Sequence, residues 1–242
     1  MLHWLDETNN FPPTSQALRD PDGLLAVGGD LSSTRLLAAY QRGIFPWYSE
    51  GSPILWWSPA PRFVIYPDEL NINRSLRKAI NKTPFDITIN QAFEDVISFC
   101  ADVPRPGQDG TWIQPEMQAA YIAMHQVGWA HSVDVWHDGQ LVGGLYGLAV
   151  GRVFFGESMF SLMPNASKVA FALWCQKLNE LGCDMIDCQM ETPHMVSMGG
   201  RRVLRNVFER RLKTTQSETN YLRDAIKGIS HQPLMRREQT CR

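Results

Sequence analysis

The sequence has few cysteines and no CxxC pair; Cys100, Cys175, Cys183, Cys188 and Cys241 make an odd set of five. That count and spacing argue against both a disulfide framework and a zinc site, and read as the reduced thiols of a cytoplasmic protein. Long hydrophobic runs are also lacking. The most apolar stretch, Leu141 to Val150, carries three glycines and is far short of a membrane span. Residues Met1 to Glu7 lack the basic-then-apolar order of a secretory signal. Neither sign of charge dominates: 23 Lys and Arg stand against 25 Asp and Glu, a net charge of −2, so the whole chain has no nucleic-acid signature. No phosphate-cradling P-loop and no dinucleotide GxGxxG follows a strand pattern, and no HExxH is present to hold a metal. Gly144-Leu145-Tyr146-Gly147 offers no serine or cysteine, so it is not a nucleophile elbow. With no activated nucleophile in view, direct transfer between two bound substrates is favoured over a covalent intermediate.

What is present is an ordinary globular composition, 44% hydrophobic and 20% charged over 242 residues, enough for a full core. The charge that is neutral overall is clustered locally. Arg74, Arg77 and Lys78 have helical i, i+3, i+4 spacing with Lys82 close behind, and Arg201, Arg202, Arg205, Arg210, Arg211 and Lys213 form a second group. Either cluster fits a solvated helix face as well as a phosphate contact, and charge alone leaves RNA undecided.

The chain divides by texture. Residues 1–61 are rich in Pro, Gly and Trp, with one helical pattern at Ser33 to Gln41 behind a serine cap, and are expected to form a small N-terminal domain. From Arg62 to the end, residues 62–242, the periodicity is regular and marks a second domain. Strands are predicted at 62–66 and 85–89, helices at 73–81, 91–101 and 115–127, then a meander at 131–136, 141–149 and 152–158 whose first turn is Asp138-Gly139. A long helix at 165–181, a strand at 184–189 and a final helix at 205–212 follow. This order predicts an α+β acyltransferase-type domain with a mainly antiparallel sheet flanked by helices. The polar tail from about Lys213 is weakly patterned and expected to be partly flexible.

Three places concentrate chemistry. If the third meander strand continues through Gly156-Glu157-Ser158-Met159-Phe160-Ser161, alternation puts Glu157, Met159 and Ser161 on one face. A carboxylate beside Met and Phe needs a cation or donor if it is buried; the other reading is a strand-end Glu in water. In Asp187-Cys188-Gln189, alternation puts the acid and the amide on one side, able to orient a bound amine or simply running into solvent. Trp47, Trp56, Trp57 and Trp112 are either core residues or platforms for unpaired bases.

At these residues the chain resembles the bacterial leucyl/phenylalanyl-tRNA–protein transferases from about Phe11 to Leu212. The resemblance is carried by Gly23-Leu24-Leu25-Ala26-Val27-Gly28-Gly29-Asp30-Leu31, Gly43-Ile44-Phe45-Pro46-Trp47-Tyr48, Ile54-Leu55-Trp56-Trp57-Ser58-Pro59, Gly110-Thr111-Trp112-Ile113, Leu141-Val142-Gly143-Gly144-Leu145-Tyr146-Gly147, Phe155-Gly156-Glu157-Ser158-Met159-Phe160-Ser161, Asn165-Ala166-Ser167-Lys168 and Asp187-Cys188-Gln189. It implies an acetyltransferase-like (GNAT-like) catalytic domain behind a small N-terminal domain. It implies transfer of Leu or Phe, less often Met, from aminoacyl-tRNA to the α-amine of acceptor proteins beginning with Arg or Lys, marking them for degradation by the N-end rule. By the same resemblance Asp187 and Gln189 are the catalytic pair, Glu157 meets the acceptor's basic end, and Leu145, Phe154, Met159 and Trp174 line the amino-acid pocket. Trp47 and Trp112 meet the donor's 3′-adenosine, and Arg74, Arg77, Lys78 and Lys82 become contacts for tRNA phosphates. Leu145 and Trp174 stand where relatives often carry Met and Phe, a departure that reshapes the pocket.

Because the donor ester is already activated, no cofactor or metal is expected, and the protein is read as a cytoplasmic monomer without a membrane partner. In this mechanism Asp187 holds Gln189, whose carbonyl orients the attacking amine. Two rivals remain at this point: an acyl-CoA-dependent acetyltransferase of the same fold, for which 162–168 lacks a glycine-rich pyrophosphate turn, and a non-catalytic RNA- or peptide-binding module.

Overall fold

The computed structural model describes residues 2–103, 112–214, 216–230 and 232–235. The first sheet has four strands, β1 (His3–Leu5), β2 (Leu24–Gly28), β3 (Phe45–Pro46) and β4 (Leu55–Trp57), in the order β1-β2-β4-β3. Between β2 and β3 lies helix α1 (Ser33–Tyr40), whose first turn is capped by the Ser32 hydroxyl accepting from the Arg35 amide. The second sheet begins with β5 (Arg62–Ile65). Then come α2 (Arg74–Asn81), β6 (Asp86–Ile89), α3 (Phe93–Asp102) and α4 (Pro115–Gln126). The meander is β7 (Ala130–His137), β8 (Gln140–Val150) and β9 (Val153–Ser161). The long helix α5 (Ala166–Glu180), strand β10 (Met185–Asp187), the short α6 (Pro193–Ser197), β11 (Arg201–Val203), α7 (Arg205–Thr214), α8 (Tyr221–Ile229) and β12 (Pro233–Met235) complete the chain.

The eight-stranded sheet runs β11-β5-β10-β9-β8-β7-β6-β12, antiparallel at every pairing except β9 with β10. This is the expected α+β class, a mainly antiparallel sheet flanked by helices. Asp138 and Gly139 both take positive φ, 49° and 77°, the backbone a two-residue hairpin needs between right-twisted strands. Because side chains alternate along each strand, the sheet buries both faces in separate clusters. One face packs Leu76 of α2, the apolar side of α5, and Leu222 and Ile226 of α8. The other packs α3, α4 and α7 together with Phe11, Leu36, Tyr40 and Trp56 from the first sheet's region. Tyr40 sits edge-on to Phe155 of β9 with ring centroids 5.1 Å apart, so the early residues share a core with the central strands.

Residues beyond Lys213 include two regular elements where they are described: α8 buries Leu222 and Ile226, and β12 pairs with β6 at the edge of the sheet. The i, i+4 pair of apolar residues in a short polar segment carries the signal, and only packing against β8 and α5 makes it count. The strand predicted to reach Gln189 is regular only to Asp187: the Cys188 and Gln189 main chain still exchanges hydrogen bonds with Phe63, at 3.0 and 3.3 Å, but Gln189 takes φ 55°, a left-handed conformation that breaks the regular ladder. Residues 104–111, with Gly110 and Thr111 of one motif, and 236–242, with Cys241, lie outside the described residues.

Candidate functional site

Strands β9 and β10 are the parallel pair of the eight-stranded sheet, and a cleft opens beside them. A cavity of about 310 Å³ is walled by Leu145, Phe154, Met159, Phe171 and Ile186, with Glu157, Cys188, Gln189, Thr192 and His194 supplying its polar edge. An apolar chamber with a few converging polar groups is the usual architecture of a small-ligand site. Leu145, Phe154 and Met159 are thus brought together in one wall of this cavity. Trp174 does not reach the wall: it is fully buried behind Phe154, edge-on at 5.5 Å between centroids, and supports that ring from the far side.

Glu157 reaches its position through a β-bulge. The β8–β9 register pairs Tyr146 with Ser158 and then Gly147 with Gly156, leaving Glu157 as the extra residue. A bulge re-aims the side chain it carries. The expected shared face of Glu157 and Met159 is thus broken: Met159 packs into the α5 side of the sheet, whereas the Glu157 carboxylate turns to Tyr40 and Tyr121 on the other. Gly147 makes the close approach possible, since a Cβ there would fall 2.2 Å from the Phe155 carbonyl oxygen. Tyr40 donates to Glu157 Oε1 at 2.8 Å and Tyr121 to Oε2 at 3.1 Å. The pocket leaves part of Glu157's surface open, but the protein packed around its carboxyl raises the pKa to about 7, against the two tyrosine bonds.

Asp187 is fully buried and faces away from the cavity, toward Arg62 at the head of β5. Arg62 Nε and Nη2 donate to the two carboxylate oxygens, each at 2.8 Å. The guanidinium is also held over the rings of Phe45 and Phe208, 4.9 and 4.7 Å from their centroids. Asp187 Oδ1 accepts a third bond, 2.9 Å, from the backbone amide of Gln189. Asp187 and Gln189 are therefore brought together, but through the main chain, and the expected common side-chain direction is corrected: once the backbone turns left-handed at Gln189, strand alternation no longer applies. The Gln189 side chain lines the cavity, its nitrogen buried and bonded to no described residue. Cys188 also lines the cavity, yet burial, with Asp187 nearby, pushes its thiol pKa up, which keeps it a poor nucleophile.

The remaining expectations separate cleanly. Trp47 is 37% exposed and stands edge-on to Trp57, whose indole N–H donates to the Trp47 carbonyl at 2.6 Å. Trp112 is partly buried against the core just before α4, and Tyr48 bonds Glu116 of that helix at 3.0 Å, tying the two tryptophan-bearing segments together. Trp56 is core. On α2, Arg74, Arg77, Lys78 and Lys82 are exposed and enter no ion pair among the described residues, while Leu76 turns inward. Four residues of the second basic cluster have partners within the chain: Arg201 pairs with Glu69, Arg202 with Glu191 and Arg211 with Asp184, while Arg205 bonds Ser58; Arg210 and Lys213 are exposed. Among the described residues no group of three His, Cys, Asp or Glu is placed to hold a metal, and no helix is long and apolar enough to cross a membrane.

Sequence reasoning missed Arg62, Tyr40 and Tyr121. The one available signal was an arginine opening an otherwise apolar strand, Arg62-Phe63-Val64-Ile65; the tyrosines look like core residues in any helical pattern.

Among known proteins, a leucyl/phenylalanyl-tRNA–protein transferase of Chromobacterium violaceum is 56% identical over 88% of this chain and 91% of its own length. One of Pseudomonas fluorescens is 56% identical over 86% of this chain and 92% of its own. A GCN5-related N-acetyltransferase from Kribbella flavida is structurally similar at a TM-score of 0.37 and 13% identity, covering 68% of this chain and 58% of that one, too loose a likeness to add to the topology. The family model for the leucyl/phenylalanyl-tRNA protein transferase N-terminal domain matches residues 29–60, and the transferase model itself matches 64–213, a span holding the bulge at Glu157, the Arg62-bound Asp187 and every wall of the cavity. On that match and those relatives, this chain belongs to the leucyl/phenylalanyl-tRNA protein transferase family.

Proposed function

We propose that this protein transfers Leu or Phe, less often Met, from aminoacyl-tRNA to the α-amine of acceptor proteins beginning with Arg or Lys. Residues 1–61 act in this reading as a small domain set against a catalytic domain of 62–242. The observation that carries it is one cavity in which an apolar chamber, Gln189 and Glu157 lie side by side. The chamber of Leu145, Phe154 and Met159 suits a Leu or Phe side chain. Apolar fit distinguishes side chains by about 1–3 kcal/mol per methylene-sized difference, so the preference is graded. Glu157 suits the guanidinium or ammonium of the acceptor's first residue.

The chemistry asks little of the protein beyond placement. The acceptor α-amine attacks the donor's ester carbonyl, the amide bond forms, the ester C–O bond breaks, and the ribose hydroxyl leaves. An α-amine of pKa about 8 must first lose its proton. Gln189, an amide with no basicity near neutrality, orients the amine through its side-chain oxygen. Asp187 acts through the main chain: clamped by Arg62, it fixes the Gln189 amide and so the direction of that side chain. Positioning of this kind contributes on the order of 7–11 kcal/mol at best. Trp47 and Trp112 offer surfaces for the terminal adenosine, and the α2 cations offer contacts for the acceptor-stem phosphates. No cofactor is required, and the reading places the enzyme in the cytoplasm, as a monomer, in the N-end-rule route to degradation.

The test is mass spectrometry of a peptide with N-terminal Lys after incubation with the purified protein and Phe-tRNA, without ATP. A gain of one Phe residue at the N-terminus is expected. RNA binding with no product from either Phe- or Leu-tRNA would replace this reading with that of a binding module.

A further inference from the structure

The Glu157 carboxyl does not meet its two tyrosines independently. Tyr40 comes from α1, Tyr121 from α4, and both are fully buried. Each hydroxyl bonds one carboxylate oxygen, and the two hydroxyl oxygens are also within hydrogen-bonding reach of each other. Three groups thus close a ring with three oxygen–oxygen approaches. When the carboxyl is ionised, the ring holds two protons for three approaches, and one of them brings bare lone pairs together. When the carboxyl is neutral, three protons serve three approaches and every one is bridged. Burial acts in the same direction as this count.

The charged and titratable neighbours do not supply a substitute. Arg62 of β5 favours the ionised carboxyl at a distance, but its hydrogen bonds go to Asp187 of β10, which opposes ionisation. Tyr146 of β8 stands beside Tyr121, and burial raises the pKa of both ring tyrosines well above that of free phenol. His194 on the same cavity is held toward its neutral form by burial and by Lys168. Among the described residues Glu157 enters no ion pair, and it is one of the residues that line the cavity.

We propose that Tyr40, Tyr121 and Glu157 are a single proton-sharing unit that sets acceptor specificity: neutral and closed when empty, it releases one proton to water when a guanidinium or ammonium enters and supplies donors to the ionised carboxylate. This rests on the reading of Glu157 as the acceptor contact. A basic first residue gives the carboxylate the donors that the ring lacks; an uncharged one leaves the ring closed. Affinity for basic acceptors then rises about tenfold per pH unit up to the carboxyl's midpoint and levels off above it.

Calorimetry of short peptide amides beginning with Lys or Met, titrated into the full-length protein in two buffers of different ionisation heat, reads the proton directly. Both peptides carry the same α-amine, so the difference between them isolates the side-chain site. Excess proton release with the Lys peptide near and below neutrality is expected, and equal release would overturn the proposal. Glu157→Gln, which cannot ionise, is expected to abolish the excess. Tyr40→Phe and Tyr121→Phe are each expected to move the pH at which the excess is half-maximal; equal weakening of both peptides with an unmoved midpoint would reduce the tyrosines to packing and break the unit. Infrared titration of the isotope-labelled Glu carboxyls of the free protein, assigned with Glu157→Gln, gives a readout independent of acceptors. A midpoint in the ordinary carboxylate range overturns the proposal even if transfer is normal, whereas a near-neutral midpoint with no transfer from any aminoacyl-tRNA condemns the proposed function and leaves the ring standing.

Discussion

Arg62 and Asp187 meet in a two-pronged ion pair, both prongs 2.8 Å, with neither side chain appreciably exposed to solvent. Removing one partner of a buried pair strands the other charge, at a cost of about 3–5 kcal/mol, whereas an apolar replacement of both is often neutral. Arg62→Met or Asp187→Ala alone is expected to lower the unfolding free energy by that amount, read as a fall in the denaturant midpoint, and to reduce turnover severely. The double variant Arg62→Met with Asp187→Leu is expected to recover stability without recovering turnover. Restored turnover in the double variant would make Asp187 a structural residue only.

Gln189 combines a left-handed backbone with a side chain that meets the cavity. Gln189→Gly relieves a conformation that costs other residues about 1–2 kcal/mol, offset in part by the chain entropy of glycine. Melting temperature is expected to stay or rise while kcat falls. Gln189→Glu keeps an acceptor oxygen in place and is expected to retain part of the activity, unlike Asp187→Ala.

Gly156 lines the cavity, and a Cβ added there would meet only the Asp187 carbonyl oxygen, at an ordinary 3.7 Å. Gly156→Ala is therefore expected to fold with unchanged stability and to shrink the chamber by one methyl. In competition between Phe-tRNA and Leu-tRNA, Phe transfer is expected to suffer more, by a factor corresponding to about 1–3 kcal/mol.

The two basic clusters are expected to behave differently. Each α2 cation that neutralises a phosphate steepens the dependence of log K on log salt by about 0.7–0.9. Alanine at Arg74, Arg77, Lys78 and Lys82 is expected to flatten that slope for aminoacyl-tRNA binding in steps. Arg201→Ala and Arg202→Ala remove residues already paired with Glu69 and Glu191 and are expected to leave the slope nearly unchanged.

Stability is expected to fall on both sides of mildly acidic pH. Glu157 keeps its proton in the folded state up to about 7, while the unfolded chain loses it near 4.5, so stability declines as pH rises between those values. His131, buried and depressed to about 3, stays neutral when folded, while the unfolded chain protonates near 6.5, so stability declines as pH falls through that window. Glu157→Gln is expected to gain more in melting temperature at pH 8 than at pH 5. His131→Asn is expected to flatten the acid limb, and an unchanged limb would remove His131 as its cause.

The difference between what was legible and what was not follows from the range of the forces involved. The meander was readable because alternation and the Asp138-Gly139 turn are local. The apolar cavity residues Leu145, Phe154 and Met159 were reachable through the motif resemblance. Trp174 was misplaced by one layer because a motif position does not tell wall from backing. Glu157 was placed on the wrong face because alternation assumes unbroken pairing, and a bulge in β9 is decided by its partner β8, where Gly147 leaves room for it.

By itself the sequence determined the α+β class, the order of elements, the family and the residue types available for chemistry, because hydrophobic period, turn residues and motif strings are properties of neighbours along the chain. Only the tertiary structure decided which groups work together. Arg62 and Asp187 are 125 positions apart, and Tyr40 and Glu157 are 117 apart, yet each pair is hydrogen-bonded. Their charges and protons are set by burial and by partners from distant elements, which no local pattern encodes.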